Sequence, residues 1–112
     1  MKLDELVSED RISKVLDYLA ATDETYAEAK VATSRTEYLA KLQESMAYKE
    51  ITVGSIEDKK AEAKISPKVM AKWDEHYSAL IAYEKMRAKR ERAVLLVDLW
   101  RSLNANRRQG NV

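Results

Sequence analysis

At 112 residues, with 46% hydrophobic and 35% charged side chains, the chain has the size of one domain and is too apolar to be disordered by default. Two glycines, one proline and no phenylalanine exclude turn-rich sandwiches and barrels, and the weight of Ala, Lys, Glu, Leu and Arg points to an all-α protein. There is no cysteine, so disulfides and thiolate metal sites are excluded, and the net charge of +1 hides an acidic beginning and a basic end.

The first predicted helix spans roughly residues 9–21, where Ile12, Val15, Leu16 and Leu19 recur at i, i+3, i+4 and i+7. Ser8 or Asp10 can cap it. Thr22-Asp23 is expected to break the run and to open a second helix over about 23–51, with Tyr26, Val31, Tyr38, Leu42 and Met46 as its larger apolar residues. That stripe is thin and Thr-rich, so the helix must draw its stability from tertiary packing. Gly54 ends the connection, and Ser55-Ile56-Glu57-Asp58 resembles a capping box for a short helix over 56–64. Ser66-Pro67 then opens a long helix over 67–103, a rod of roughly 55 Å, followed by a tail over 104–112. In that rod Ala79, Tyr83, Met86, Arg90, Ala93, Val97 and Trp100 alternate at four and three residues, a coiled-coil seam with Arg90 as its polar interruption. The expected fold is a single domain built on a long antiparallel helical hairpin, coiled-coil-like, with a short N-terminal helix. An extended helical chain of this size gains from a second copy, so an oligomer, a dimer first, is expected.

Charge is unevenly spread: three basic side chains against seven acidic over residues 1–25, and eight against three over residues 84–112. The acidic and basic ends can attract each other, or the basic end can meet a polyanion. The cluster Lys85, Arg87, Lys89, Arg90 and Arg92, extended by Arg101, Arg107 and Arg108, reads either as a solvated coiled-coil face with neutralising neighbours or as a phosphate-contacting surface. Trp100 and Leu103 suit a core-facing helix end or an anchor for a partner. His76, the only histidine, lies beside Asp74 and Glu75 rather than at the spacing of a helical metal pair, so no metal or cofactor is expected. With no Gly-rich phosphate loop and no nucleophile elbow, an enzyme is not expected either.

The run Leu16 to Glu24, the Gly54 to Ala63 turn and charged helix, Ser66-Pro67, Met86 to Arg90, and the terminal Trp-Arg-Ser-Leu-Asn-Ala-Asn-Arg-Arg together resemble a family of small helical proteins of tailed bacteriophages and prophages. The resemblance spans most of the chain and is most specific at the terminus. It implies an accessory of phage DNA replication or recombination, working in the cytoplasm of the host cell beside DNA-processing proteins. On that reading Lys85, Arg87, Lys89, Arg90, Arg92, Arg101, Arg107 and Arg108 contact nucleic acid, and Leu16, Trp100 and Leu103 contact a protein partner. Two other functions stay open. One is an adaptor or inhibitor of a host enzyme that uses the apolar seam or the acidic segment Asp4, Glu5, Glu9, Asp10, Asp17, Asp23 and Glu24. The other is a virion assembly or scaffolding protein. No apolar stretch approaches the ~20 residues that span a bilayer, and Met1 to Glu5 offers no signal-peptide core, so a soluble, intracellular protein without membrane association is expected.

Overall fold

The computed structural model describes residues 7–108 and Gly110, and three helices account for nearly all of them. They are α1 (Glu9–Glu50), α2 (Ile56–Lys64) and α3 (Pro67–Arg108). No strand occurs among the described residues, so the chain is all-α, a long helical hairpin whose two arms are joined through a short helix. The short helix lies at the hairpin's turn rather than at its N-terminal end.

Each start is capped as its sequence dictates. The Ser8 hydroxyl accepts from Arg11 N–H at 3.3 Å, and Glu9 and Asp10 sit in the first turn of α1, where the helix dipole favours carboxylates. At α2 the Ser55 hydroxyl accepts from Asp58 N–H at 3.1 Å. Before it, Gly54 holds φ +110°, and a Cβ there would press on Asp58 Cβ at 3.3 Å, so only glycine suits the turn. Pro67 opens α3, where its missing N–H removes no intrahelical bond, and Met70 N–H closes on the Ser66 carbonyl at 2.9 Å.

Two sequence expectations about element boundaries are corrected. The break at Thr22-Asp23 is not made, and α1 runs unbroken from Glu9 to Glu50. Thr22 is accommodated within the helix, its hydroxyl donating to the Tyr18 carbonyl at 2.8 Å, four residues back. Thr33 and Thr36 do the same towards Ala29 (3.0 Å) and Ala32 (2.8 Å), which satisfies the hydroxyls of the Thr-rich stretch within the helix. At the far end α3 does not stop at Leu103 but continues through Arg108, which puts Arg107 and Arg108 in its last turn, the favoured place for cations. Gly110, with φ +73°, then bonds back to the Arg107 carbonyl at 3.1 Å. The remainder of the expected tail, Gln109, Asn111 and Val112, lies outside the described residues, as do Asp4 and Glu5 of the acidic segment.

The described residues fall into two compact units, one made of residues 7–26 with those from Lys85 onward, the other Ala27–Glu84. In the first, the inward positions of α1 are Ile12, Val15, Leu19, Thr22 and Tyr26, against Met86, Arg90, Ala93, Val97 and Trp100 of α3. Both series alternate at three and four residues, and the pairings of Tyr18 with Lys89 and of Asp23 with Arg90 lie within a hairpin whose arms are antiparallel. In the second unit α1 turns Ala29, Thr33, Thr36, Ala40, Gln43 and Ala47 inward, against Val69, Trp73, His76, Leu80 and Tyr83 of α3. Ala40 and Val69 are fully buried there, and Ala63 of α2 closes the turn end.

The predicted α1 stripe is therefore not the packed one. Val31, Tyr38, Leu42 and Met46 face outward, and only Tyr26 of that set is half-buried. Small Ala and Thr side chains let α1 approach α3 closely, while the larger rings of Trp73, His76 and Tyr83 fill the space from the other side. His76 is buried in this unit, with Nδ1 3.1 Å from the Thr36 hydroxyl. That hydroxyl already gives its proton to the Ala32 carbonyl, so the network assigns the Nδ1–H tautomer to His76, with Thr36 Oγ1 accepting. Trp73 meets the His76 ring edge-on, centroids 5.7 Å apart, which holds it in place.

Candidate anion-binding groove

The eight cations predicted for phosphate contact do not form one surface. Arg90 is the clearest correction. Its side chain is only 17% exposed and turns into the seam, donating to the Leu19 carbonyl at 2.9 Å, to the Thr22 hydroxyl and to the Asp23 carboxylate. Its guanidinium also lies over the Tyr26 ring, 4.9 Å from the centroid. With its fork of donors spent on α1, Arg90 is a structural clasp and leaves the phosphate-contacting set. Here the acidic and basic ends of the sequence do attract each other, through Asp23 and Arg90.

The other cations sort by helix face. Arg87 donates to Glu91 at 3.1 Å and Arg101 lies 3.9 Å from Asp98, both through pairs along α3 itself. Such exposed pairs hold their partners weakly. Arg107 and Arg108 are exposed at the helix end. Lys85, Lys89 and Arg92 fall at i, i+4 and i+7, so they share one face of α3.

That face meets two further cations. Lys89 and Arg92, with Ala93 and Leu96, form one wall of a groove of about 450 Å³. Arg11 and Lys14 of α1, with Val15 and Tyr18, form the other. Two helices thus bring four basic side chains around one concavity with an apolar floor. Lys89 Nζ sits 4.6 Å from the Tyr18 ring centroid, which positions the ammonium while leaving its donors available. Among the described residues Lys14 pairs with Asp10, at 3.3 Å, in a pair that is largely solvent-exposed and so easily exchanged. Arg11 Nε is buried and meets no acceptor among the described residues.

Arg11 and Lys14 were missed in the sequence because they lie in the segment with seven acidic residues, where net charge hides them. The available signal was their spacing: Arg11, Lys14 and Tyr18 follow i, i+3 and i+7 on a helix.

The predicted partner-binding residues are placed apart in exposure. Trp100 and Leu103 are half-buried on the inner side of α3, whereas Leu16 points outward and is 47% exposed, so the hairpin does not cover it. Among the described residues no group of three or more His, Asp or Glu side chains converges, and no helix is long and apolar enough to cross a membrane. Compared with known proteins, the chain matches no family model, no curated protein and no solved structure.

Proposed function

We propose that this chain is a non-enzymatic module that binds the backbone of a nucleic acid in the groove lined by Arg11, Lys14, Lys89 and Arg92. The observation that carries the reading is the convergence of these four cations, two from each long helix, on one concave face. Phosphates spaced along a strand suit such a row, because each neutralised phosphate releases counterions. The Tyr18 ring is already covered by Lys89, so it steadies that lysine instead of offering a stacking platform for bases. Binding is therefore expected to be independent of sequence. In the setting implied by the phage-family resemblance, this is an accessory role in DNA replication or recombination within the host cell.

The test is binding of the full chain to labelled single- and double-stranded oligonucleotides of unrelated sequence across a salt series. Four phosphate contacts predict a log–log slope of about −3 to −4 on duplex. No binding at low salt from well-folded protein, or binding that salt does not weaken, would overturn the reading.

A protein-interaction role has its own support. Val31, Tyr38, Leu42 and Met46 stand more than a third exposed along one face of α1, and a contiguous apolar face of this kind marks an association site.

A further inference from the structure

The outward stripe of α1 in the Ala27–Glu84 unit has a self-complementary layout. Val31, Tyr38, Leu42 and Met46 are 58%, 66%, 43% and 49% exposed, and Arg35 stands between the first two. Their spacing of four and three residues, counting Arg35, is that of a helix built to lie along another helix. The face they form is distinct from the Ala/Thr face that packs on α3, so α1 here is apolar on two sides. Glu28 stands one turn before the stripe and Lys49 one turn after it, both exposed, and neither makes an ion pair among the described residues.

We propose that this face docks on the same face of a second copy, antiparallel, about a two-fold axis passing between Tyr38 and Leu39. About that point Val31 is the mirror position of Met46, Arg35 of Leu42, and Glu28 of Lys49. The pairing sets Val31 against Met46 and Tyr38 against Leu39, lays the apolar stem of Arg35 along Leu42, and sets a carboxylate against an ammonium at both ends. An isologous interface repeats each contact, so the charge pair occurs twice.

The outward residues of α3 in the same unit, Met70, Tyr77 and Ile81, serve as the contrast. A two-fold axis between Tyr77 and Ile81 would bring Asp74 against Glu84, two carboxylates, and like charges at that range repel. Charge complementarity therefore selects the α1 face. The expectation of a dimer, drawn from chain length alone, thereby gains a surface and a partner of defined chemistry.

The test is the mass of the full chain by sedimentation equilibrium over a concentration series, with helicity checked by circular dichroism. The wild type is expected to dimerise. Glu28→Lys and Lys49→Glu are each expected to weaken the dimer about tenfold, since each turns two attractive contacts repulsive. The double variant Glu28→Lys/Lys49→Glu is expected to restore it, an outcome that a folding defect would not produce. Val31→Asp, which sets a carboxylate against Met46 at both ends, is expected to leave a helical monomer. A wild type that stays monomeric throughout, or a double variant no tighter than the single ones, would overturn the proposal. The nucleic-acid reading rests on a different unit and can fail or stand independently of this result.

Discussion

The two units use the same helices and the same alternation of three and four residues, yet they solve packing differently. In the unit of the chain ends the seam is interrupted by Arg90, whose guanidinium is satisfied by Leu19, Thr22 and Asp23 together. In the Ala27–Glu84 unit the seam is small on one side and aromatic on the other, with the His76–Thr36 contact as a polar tie between α1 and α3. A largely covered arginine with several partners fixes register, because sliding one helix by a turn would strand its donors. A seam of Ala and Thr gives close approach but buries little apolar area, and the larger side chains of α1 are left facing outward. The lesson is that a heptad spacing states where a helix packs, not which of its faces carries the bulk.

The contrast can be broken at its tightest point first. Val69 is fully buried in the Ala27–Glu84 unit, so Val69→Asp places an unpaired carboxylate there and is expected to cost about 3–5 kcal/mol. Chemical denaturation followed by circular dichroism would show it; a loss below about 1 kcal/mol would mean that the position is open to water.

Arg90 sharpens the other side of the comparison. Arg90→Ala removes a charged donor from three acceptors and is expected to destabilise by about 2–3 kcal/mol. Asp23→Ala, at a side chain that is 70% exposed, is expected to cost well under 1 kcal/mol, because the Leu19 and Thr22 contacts remain. Equal losses in the two variants would show that the ion pair alone, and not the whole clasp, matters.

A smaller effect than that of Arg90→Ala is expected at Thr36. Thr36→Val keeps the shape but leaves His76 Nδ1–H without its acceptor, at a cost of about 1–2 kcal/mol. The imidazole nitrogen shifts in NMR spectra would report the tautomer, and an Nε2–H form in the wild type would contradict the assigned network.

How much of this was legible in the sequence follows from what each residue signals. The α3 seam was readable because Tyr83, Met86, Val97 and Trp100 are large, apolar and correctly spaced. Ser55, Ser66 and Pro67 marked their helix starts because capping is local chemistry. The inner face of α1 was not readable, since Ala29, Thr33, Thr36 and Ala40 carry little hydropathy and Val31, Tyr38, Leu42 and Met46 outweigh them in any stripe. Thr22-Asp23 looked like a break because its stabilising partner, Arg90, lies far along the chain. The basic cluster was visible as a run of charge, but its division into a clasp, pairs along α3 and a groove wall depends on helix phase and on α1. Half of the groove, Arg11 and Lys14, belongs to a segment whose net charge has the opposite sign.

The central claim is that the groove, and not the helix terminus, meets the phosphates. It is tested most directly by comparing salt-dependent DNA binding of two variants, Arg11/Lys14/Lys89/Arg92→Ala and Arg101/Arg107/Arg108→Ala. The groove variant is expected to lose most of the affinity and nearly all of the salt slope, with the terminal variant keeping a slope of about −3 to −4. Full binding by the groove variant, with the loss confined to the terminal one, would contradict the account.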